Sequence, residues 1–200
     1  RDDERIIGSI WSLIDQADIL IAHNGDKFDL KKLNTRFHMN GLYPPSPYLS
    51  IDTLKVVKKS FAFSSNKLDY LSQIIPIGHN LTKIIKLATN FKLWTDCLHG
   101  SRIALKKMLD YNEEDVRLLE EVYMELRPWV KSHPNVNLYS DVEGCPSCGS
   151  DELKPNGGYY TTISNKYQSY SCVECGSLSR KLESELSAEE RQAIMRSLPK

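Results

Sequence analysis

Two hundred residues are enough for one or two domains with a buried core, and 40% apolar with 26% charged residues excludes both disorder and a fibrous repeat. No apolar run approaches the roughly 18–20 residues of a membrane span and no signal peptide is read, so the expectation is a cytoplasmic chain without membrane contact. Lys plus Arg and Asp plus Glu are both 26, which leaves the whole-chain charge silent about a polyanionic partner.

The distribution of charge says more. Between Thr53 and Thr95 stand seven Lys (55, 58, 59, 67, 83, 86, 92) against the single acid Asp69, whereas from Asp96 to Glu125 eight acids face four bases. A basic segment followed by an acidic one suits a protein that holds phosphates in one place and metal ions in another.

The chain opens with Ile6, Ile7, Ile10, Leu13 and Ile14 at helical spacing. Asp18-Ile-Leu-Ile-Ala22 then reads as a strand buried on both faces, because it is short, apolar and β-branched. His23-Asn24-Gly25 turns the chain into a second helix, with Asp26 available as N-cap and Phe28, Leu30, Leu33 and Phe37 on its apolar side. Phe28 is assigned to the core. Leu42–Pro47 is a loop, Leu49–Asp52 a short strand, and Thr53–Ser60 helical again. This alternation predicts an α/β layer fold, whose site lies beyond the carboxyl ends of the strands, where Asn24 and Asp29 fall. Asp29 has two readings at this stage. It is a first-turn carboxylate favoured by the helix dipole by up to about 1 kcal/mol, or it serves chemistry.

Ser101–Leu126 reads as one long helix. Ala104, Met108, Tyr111, Asp115, Leu118 and Val122 step by fours and threes and share a face that is apolar except for a Tyr and, one turn on, an Asp. A carboxylate there meets a cation, a divalent metal first of all, or else the stripe is rotated and Asp115 is solvated beside Glu113 and Glu114.

Arg127-Pro128-Trp129 ends that helix, and the polar stretch from 131 to 142 reads as a linker. Cys145-Pro-Ser-Cys148-Gly and Cys172-Val-Glu-Cys175-Gly are two C-x-x-C-G knuckles 23 residues apart, the spacing of one tetrahedral, structural Zn²⁺. Between them, Tyr159–Ile163 and Tyr167–Ser171 form a hairpin around Ser164-Asn165-Lys166, so residues 143–179 read as a zinc ribbon. Disulfides in a secreted chain are the alternative, which leaves Cys97 unexplained; Cys97 itself is read as a small apolar residue in a helix. Ser187-Ala-Glu-Glu190 is a capping box that opens a charged helix within 180–200. The ribbon or this helix is the expected contact for a protein partner.

Two segments together resemble a known family. His23-Asn-Gly-Asp-Lys-Phe-Asp29 looks like the second motif of the DnaQ-like, or DEDD, 3′–5′ exonucleases. Tyr111-Asn-Glu-Glu-Asp115 looks like their third motif in its Tyr-containing form, the branch that includes proofreading domains of family B DNA polymerases. Ser50-Ile-Asp-Thr-Leu54 and Asn66-Lys-Leu-Asp-Tyr-Leu71 are similar to the connecting region of predicted bacterial and phage exonucleases. The resemblance implies a ribonuclease H-like fold over residues 1–130 and two-metal phosphodiester hydrolysis with Mg²⁺ or Mn²⁺. It implies Asp29 and Asp115 as metal ligands, Tyr111 as the residue that orients or deprotonates water, Asn24 as a contact to the strand end, and single-stranded DNA with a free 3′ end as the partner.

The family's first motif, Asp-x-Glu on the first strand, stands on no strand of this sequence. Asp2-Asp-Glu4 has the letters but begins a helix, as an N-cap and first-turn acid cluster. The expectation is therefore a ribonuclease H-like domain without its N-terminal strands, inactive as these 200 residues stand. Two other readings are kept: a non-catalytic nucleic-acid-binding or docking module that retains the fold, and another ribonuclease H-like nuclease with an inserted zinc ribbon.

Overall fold

The computed structural model describes residues 3–75, 91–139 and 144–195, and the chain divides into two compact units between Leu126 and Arg127. Part of the lysine-rich segment, including Lys83 and Lys86, lies outside the described residues, as do Asp2, the end of the linker and the last five residues.

The first unit opens with helix α1 (Glu4–Asp15), which buries Ile7 and Ile14. Asp3 occupies its N-cap position without a capping hydrogen bond, because the Asp3 carboxylate is taken up by the Arg36 guanidinium in a two-pronged ion pair. Strand β1 (Ile19–Ala22) follows, then helix α2 (Asp29–Met39) and strand β2 (Leu49–Asp52). The strands pair in parallel from Ile19 opposite Leu49 to Ala22 opposite Asp52, so β1-α2-β2 is a βαβ unit whose two carboxyl ends lie side by side. Ile7 and Ile14 pack with Phe37 of α2, and half-buried Ile10, Trp11, Leu20 and Leu33 surround them.

Helices α3 (Thr53–Ser60), α4 (Leu68–Ile74), α5 (Phe91–Leu98) and α6 (Arg102–Leu126) complete the unit. Val57, Leu71, Ile75, Val122 and Leu126 form a second buried cluster, which the C-terminal half of α6 closes. No described helix is long and apolar enough to cross a membrane.

Three expectations need correction. β1 is half-buried, with Ile21 37% exposed, and not covered on both faces; among the described residues it has one strand neighbour, β2. Phe28 is 57% exposed and lies under the Lys32 ammonium instead of in the core. Asp26 does not cap α2, since its carboxylate is bound to Lys55 Nζ at 2.6 Å and to the Ser50 hydroxyl.

The second unit begins with a 3-10 turn at Arg127–Trp129 and another at Val136–Tyr139. Strands β3 (Leu153–Thr161), β4 (Lys166–Cys172) and β5 (Leu178–Arg180) form an antiparallel sheet in that order, with a bulge between Pro155 and Tyr159. The hairpin loop is 162–165, so Lys166 belongs to β4. Helix α7 (Ala188–Ala193) starts on a complete capping box: Ser187 Oγ accepts from the Glu190 N–H at 3.1 Å and Glu190 Oε2 accepts from the Ser187 N–H at 2.8 Å.

Candidate functional site

At the carboxyl ends of the parallel pair the chain turns twice in a small space. Asn24 takes a left-handed φ of 70°, a conformation in which Asn is enriched among side-chain-bearing residues. Its N–H donates to Asp52 Oδ1 at 2.8 Å, and the same oxygen accepts from Leu54 N–H at 3.0 Å as the N-cap of α3. Asp52 is 4% exposed, and these charge-assisted bonds offset the cost of burying its carboxylate. Gly25 follows, buried, where a Cβ would overlap Ala22 Cβ. Only glycine fits there.

His23 ties the turn to the next elements. Its Nε2 faces the Asn66 carbonyl at 2.9 Å and its Nδ1 faces Thr53 Oγ1 at 2.9 Å. Because a carbonyl only accepts, Nε2 carries a hydrogen, while the hydroxyl of the fully buried Thr53, which stands at Nδ1, donates to the Ala22 carbonyl at 3.1 Å and so ties the ring to the end of β1. The Asp26 carboxyl is held below its usual range by the Lys55 ammonium and the Ser50 hydroxyl.

This network sets the start of α2, where Asp29 is the first helical residue and exposed. Its side chain lies over Gly25, on the same turn as Asn24. Tyr111 and Asp115 occupy the middle of α6, half-buried, on the stripe that continues through buried Leu118, Val122 and Leu126. Asp115 Oδ1 is shielded from solvent.

For a pair of hard divalent ions these residues do not complete a donor set. Among the described residues, the group of three or more potential ligand side chains within reach of one ion is made of cysteines and lies in the second unit. Asp29 and Asp115 belong to no such carboxylate group there. Asp52, His23 and Thr53 were not picked out as site residues from sequence; the Asp-Thr step closing an apolar run is a cap signature that could have marked Asp52.

The second unit gathers Cys145, Cys148, Cys172 and Cys175 with their ligand atoms within 4.8 Å of one another, a cluster able to chelate a metal ion. The two knuckles are built alike. Gly149 N–H donates to Cys145 O at 2.8 Å and Gly176 N–H to Cys172 O at 3.0 Å, with φ of 79° and 70° at the two glycines. Cys145 N–H then donates to Ser150 O, and Cys172 N–H to Ser177 O. Sγ of Cys145 lies 3.6 Å from that of Cys175, and Cys148 is equally far from Cys172.

Burial pushes the Cys145 thiol up and the Cys148 thiol up to about 12. Burial also acts on Cys175 and raises it, but hydrogen bonding with the Ser177 side chain and backbone, and with Cys148 and Cys145, brings it down to about 7. Cys97 is half-buried in α5 and outside the cluster.

Compared with known proteins, residues 1–127 match the family model described as RNase H superfamily. No curated protein and no solved structure matches the chain.

Proposed function

The chain belongs to the RNase H superfamily, and from that premise we propose that it is a 3′–5′ exonuclease that hydrolyses phosphodiester bonds of nucleic acid, DNA first. The observation that carries the reading is the pair Tyr111 and Asp115 on the core-facing stripe of α6, where an ionisable oxygen is withdrawn from water inside an otherwise apolar row. Asp29 and Asn24, on the turn at the carboxyl ends of β1 and β2, are the other half of the proposed site. Asp29 and Asp115 are proposed to supply two of the carboxylates for Mg²⁺ or Mn²⁺, which when bound polarises the phosphodiester. Tyr111 is proposed to orient water, and Asn24 to contact the 3′-terminal nucleotide of a single strand.

The four cysteines are proposed to hold one structural Zn²⁺. Thiolates are soft ligands suited to zinc, and four of them leave no position open for water. That makes the second unit a zinc ribbon, stapled by metal where its own apolar core is small.

The test is a 5′-labelled single strand incubated with the full gene product and Mg²⁺. Stepwise shortening from the 3′ end, abolished in Asp115→Ala and in Asp29→Ala, is expected; cleavage that survives Asp115→Ala contradicts the assignment. A second reading, a nucleic-acid-binding module without catalysis, is favoured by the lack of a three-carboxylate group among the described residues. It predicts strand binding with no shortening at all.

A further inference from the structure

The sheet of the second unit carries a row of aromatic and cationic side chains that holding zinc does not require. Tyr160 stands opposite Tyr167 across β3 and β4, and Ser169 stands opposite Arg180 across β4 and β5. Residues opposite one another share a face, as do residues two apart on one strand, so Tyr160, Tyr167 and Arg180 lie on one side. The side chains meet there. The two rings are 6.4 Å apart, and the Arg180 guanidinium lies 3.9 Å from the Tyr167 ring centre and 5.3 Å from that of Tyr160.

This face is open. Tyr160 is 52% exposed, Leu178 is 69% exposed and Arg180 is exposed. Tyr160, Leu178 and Arg180 line a depression of about 550 Å³ together with Lys131, and no carboxylate lines it. Glu183, Glu185 and Glu190 line a different depression, which shares only Tyr167 with the aromatic row.

We propose that this face of the sheet binds single-stranded nucleic acid, with bases stacking on Tyr160 and on the Arg180 guanidinium plane, and phosphates drawn to Lys131 and Arg180. Two features argue for this occupant. Cations in a depression that no carboxylate lines complement a phosphate backbone. Exposed rings with a guanidinium laid against them offer π-faces, which unpaired bases use and paired bases in a duplex do not. The proposal rests on the nuclease reading for the class of partner, and it adds a holding surface outside the matched domain.

The experiment is fluorescence anisotropy of the zinc-loaded chain with a fluorescein-labelled oligo-dT of about 12 nucleotides, within the site sizes of single-strand grooves. No divalent ion other than zinc is added, so binding is read without cleavage. Tyr160→Ser and Arg180→Gln should each weaken binding about tenfold. Lys106→Gln, which removes an exposed cation on α6, should leave it unchanged. Zinc content checks folding; should Tyr160→Ser lose metal, Arg180→Gln carries the test, since its side chain lies on the surface.

The proposal is overturned if Arg180→Gln binds like the parent chain or if the parent chain binds no oligo-dT. It is equally overturned if a duplex of the same length binds as tightly, or if poly-glutamate displaces the strand at equal charge concentration. Cleavage by the full gene product separates the two readings. If only this proposal fails, cleavage persists with the same KM in Arg180→Gln. If only the nuclease reading fails, binding persists and shortening is absent.

Discussion

The backbone N–H of Asn24 donates to Oδ1 of Asp52 at 2.8 Å, so the turn leaving β1 is clamped by the last residue of β2. One buried carboxylate oxygen thereby fixes both the left-handed residue before α2 and the first turn of α3. The position of Asp29 depends on that clamp.

Removing the carboxylate should therefore be costly. Asp52→Ala leaves the Asn24 and Leu54 N–H groups without this acceptor and should destabilise the first unit by about 1–3 kcal/mol. Asp52→Asn, which keeps an acceptor oxygen, should lose less. Urea denaturation followed by circular dichroism compares them; an alanine variant as stable as the parent would show that the clamp contributes nothing.

At Asn24 the backbone φ of 70° separates two substitutions that are otherwise similar in size. Asn24→Ala should cost roughly 1 kcal/mol through left-handed strain, and Asn24→Gly should be closer to neutral. Equal midpoints for the two would contradict a strained turn.

Much of this was legible in the sequence, for reasons that differ by residue. The fours-and-threes spacing from Ala104 to Val122 is a property of one helix, so local pattern marked the face of α6 that carries Tyr111 and Asp115. The C-x-x-C-G repeats were readable because a knuckle is closed by its own backbone. For Asp52 the capping role was readable from the Asp-Thr step but its burial was not, because that follows from pairing with a segment 28 residues earlier. The covering of β1 was misjudged for the same reason, since apolarity along the chain does not report how many neighbours a strand acquires, and Phe28 because apolarity does not report which side of a helix start is left open.

The cysteine cluster should release protons as it loads. Cys145 and Cys148 have raised pKa values, Cys148 to about 12, so both carry protons at neutral pH without metal, and zinc displaces them. With at least two protons released, affinity should fall about hundredfold per unit as pH drops below 7. Calorimetry in buffers of different ionisation heat counts the protons; a count of zero would contradict thiol ligation. In the metal-free chain the signs are opposite for two cysteines. The contribution of Cys148 is present below the ordinary thiol range and lost as pH rises toward about 12, whereas that of Cys175 is present above that range and lost as pH falls through about 7.

Zinc stoichiometry should separate Cys97 from the other four. Cys97→Ser should keep one zinc per chain, and serine at Cys145, Cys148, Cys172 or Cys175 should lose most of it. Zinc lost from Cys97→Ser would contradict the cluster.

On α6, Tyr111→Phe in the full gene product should slow cleavage by about 10²–10⁴-fold without abolishing it, the usual weight of acid–base or water-orienting help. Single-turnover kinetics measure it. A rate equal to the parent would remove Tyr111 from the proposed site.

That Asp29 and Asp115 serve one metal site is tested most directly by paramagnetic broadening, which detects weak binding through distance alone. Traces of Mn²⁺ titrated into the isotopically labelled, zinc-loaded chain should broaden the amide signals of residues 24–29 and 111–115 together. Both sets should sharpen again in Asp115→Asn. Broadening confined to one of the two segments, or centred on acids elsewhere such as Glu120 and Glu121, would contradict a shared site.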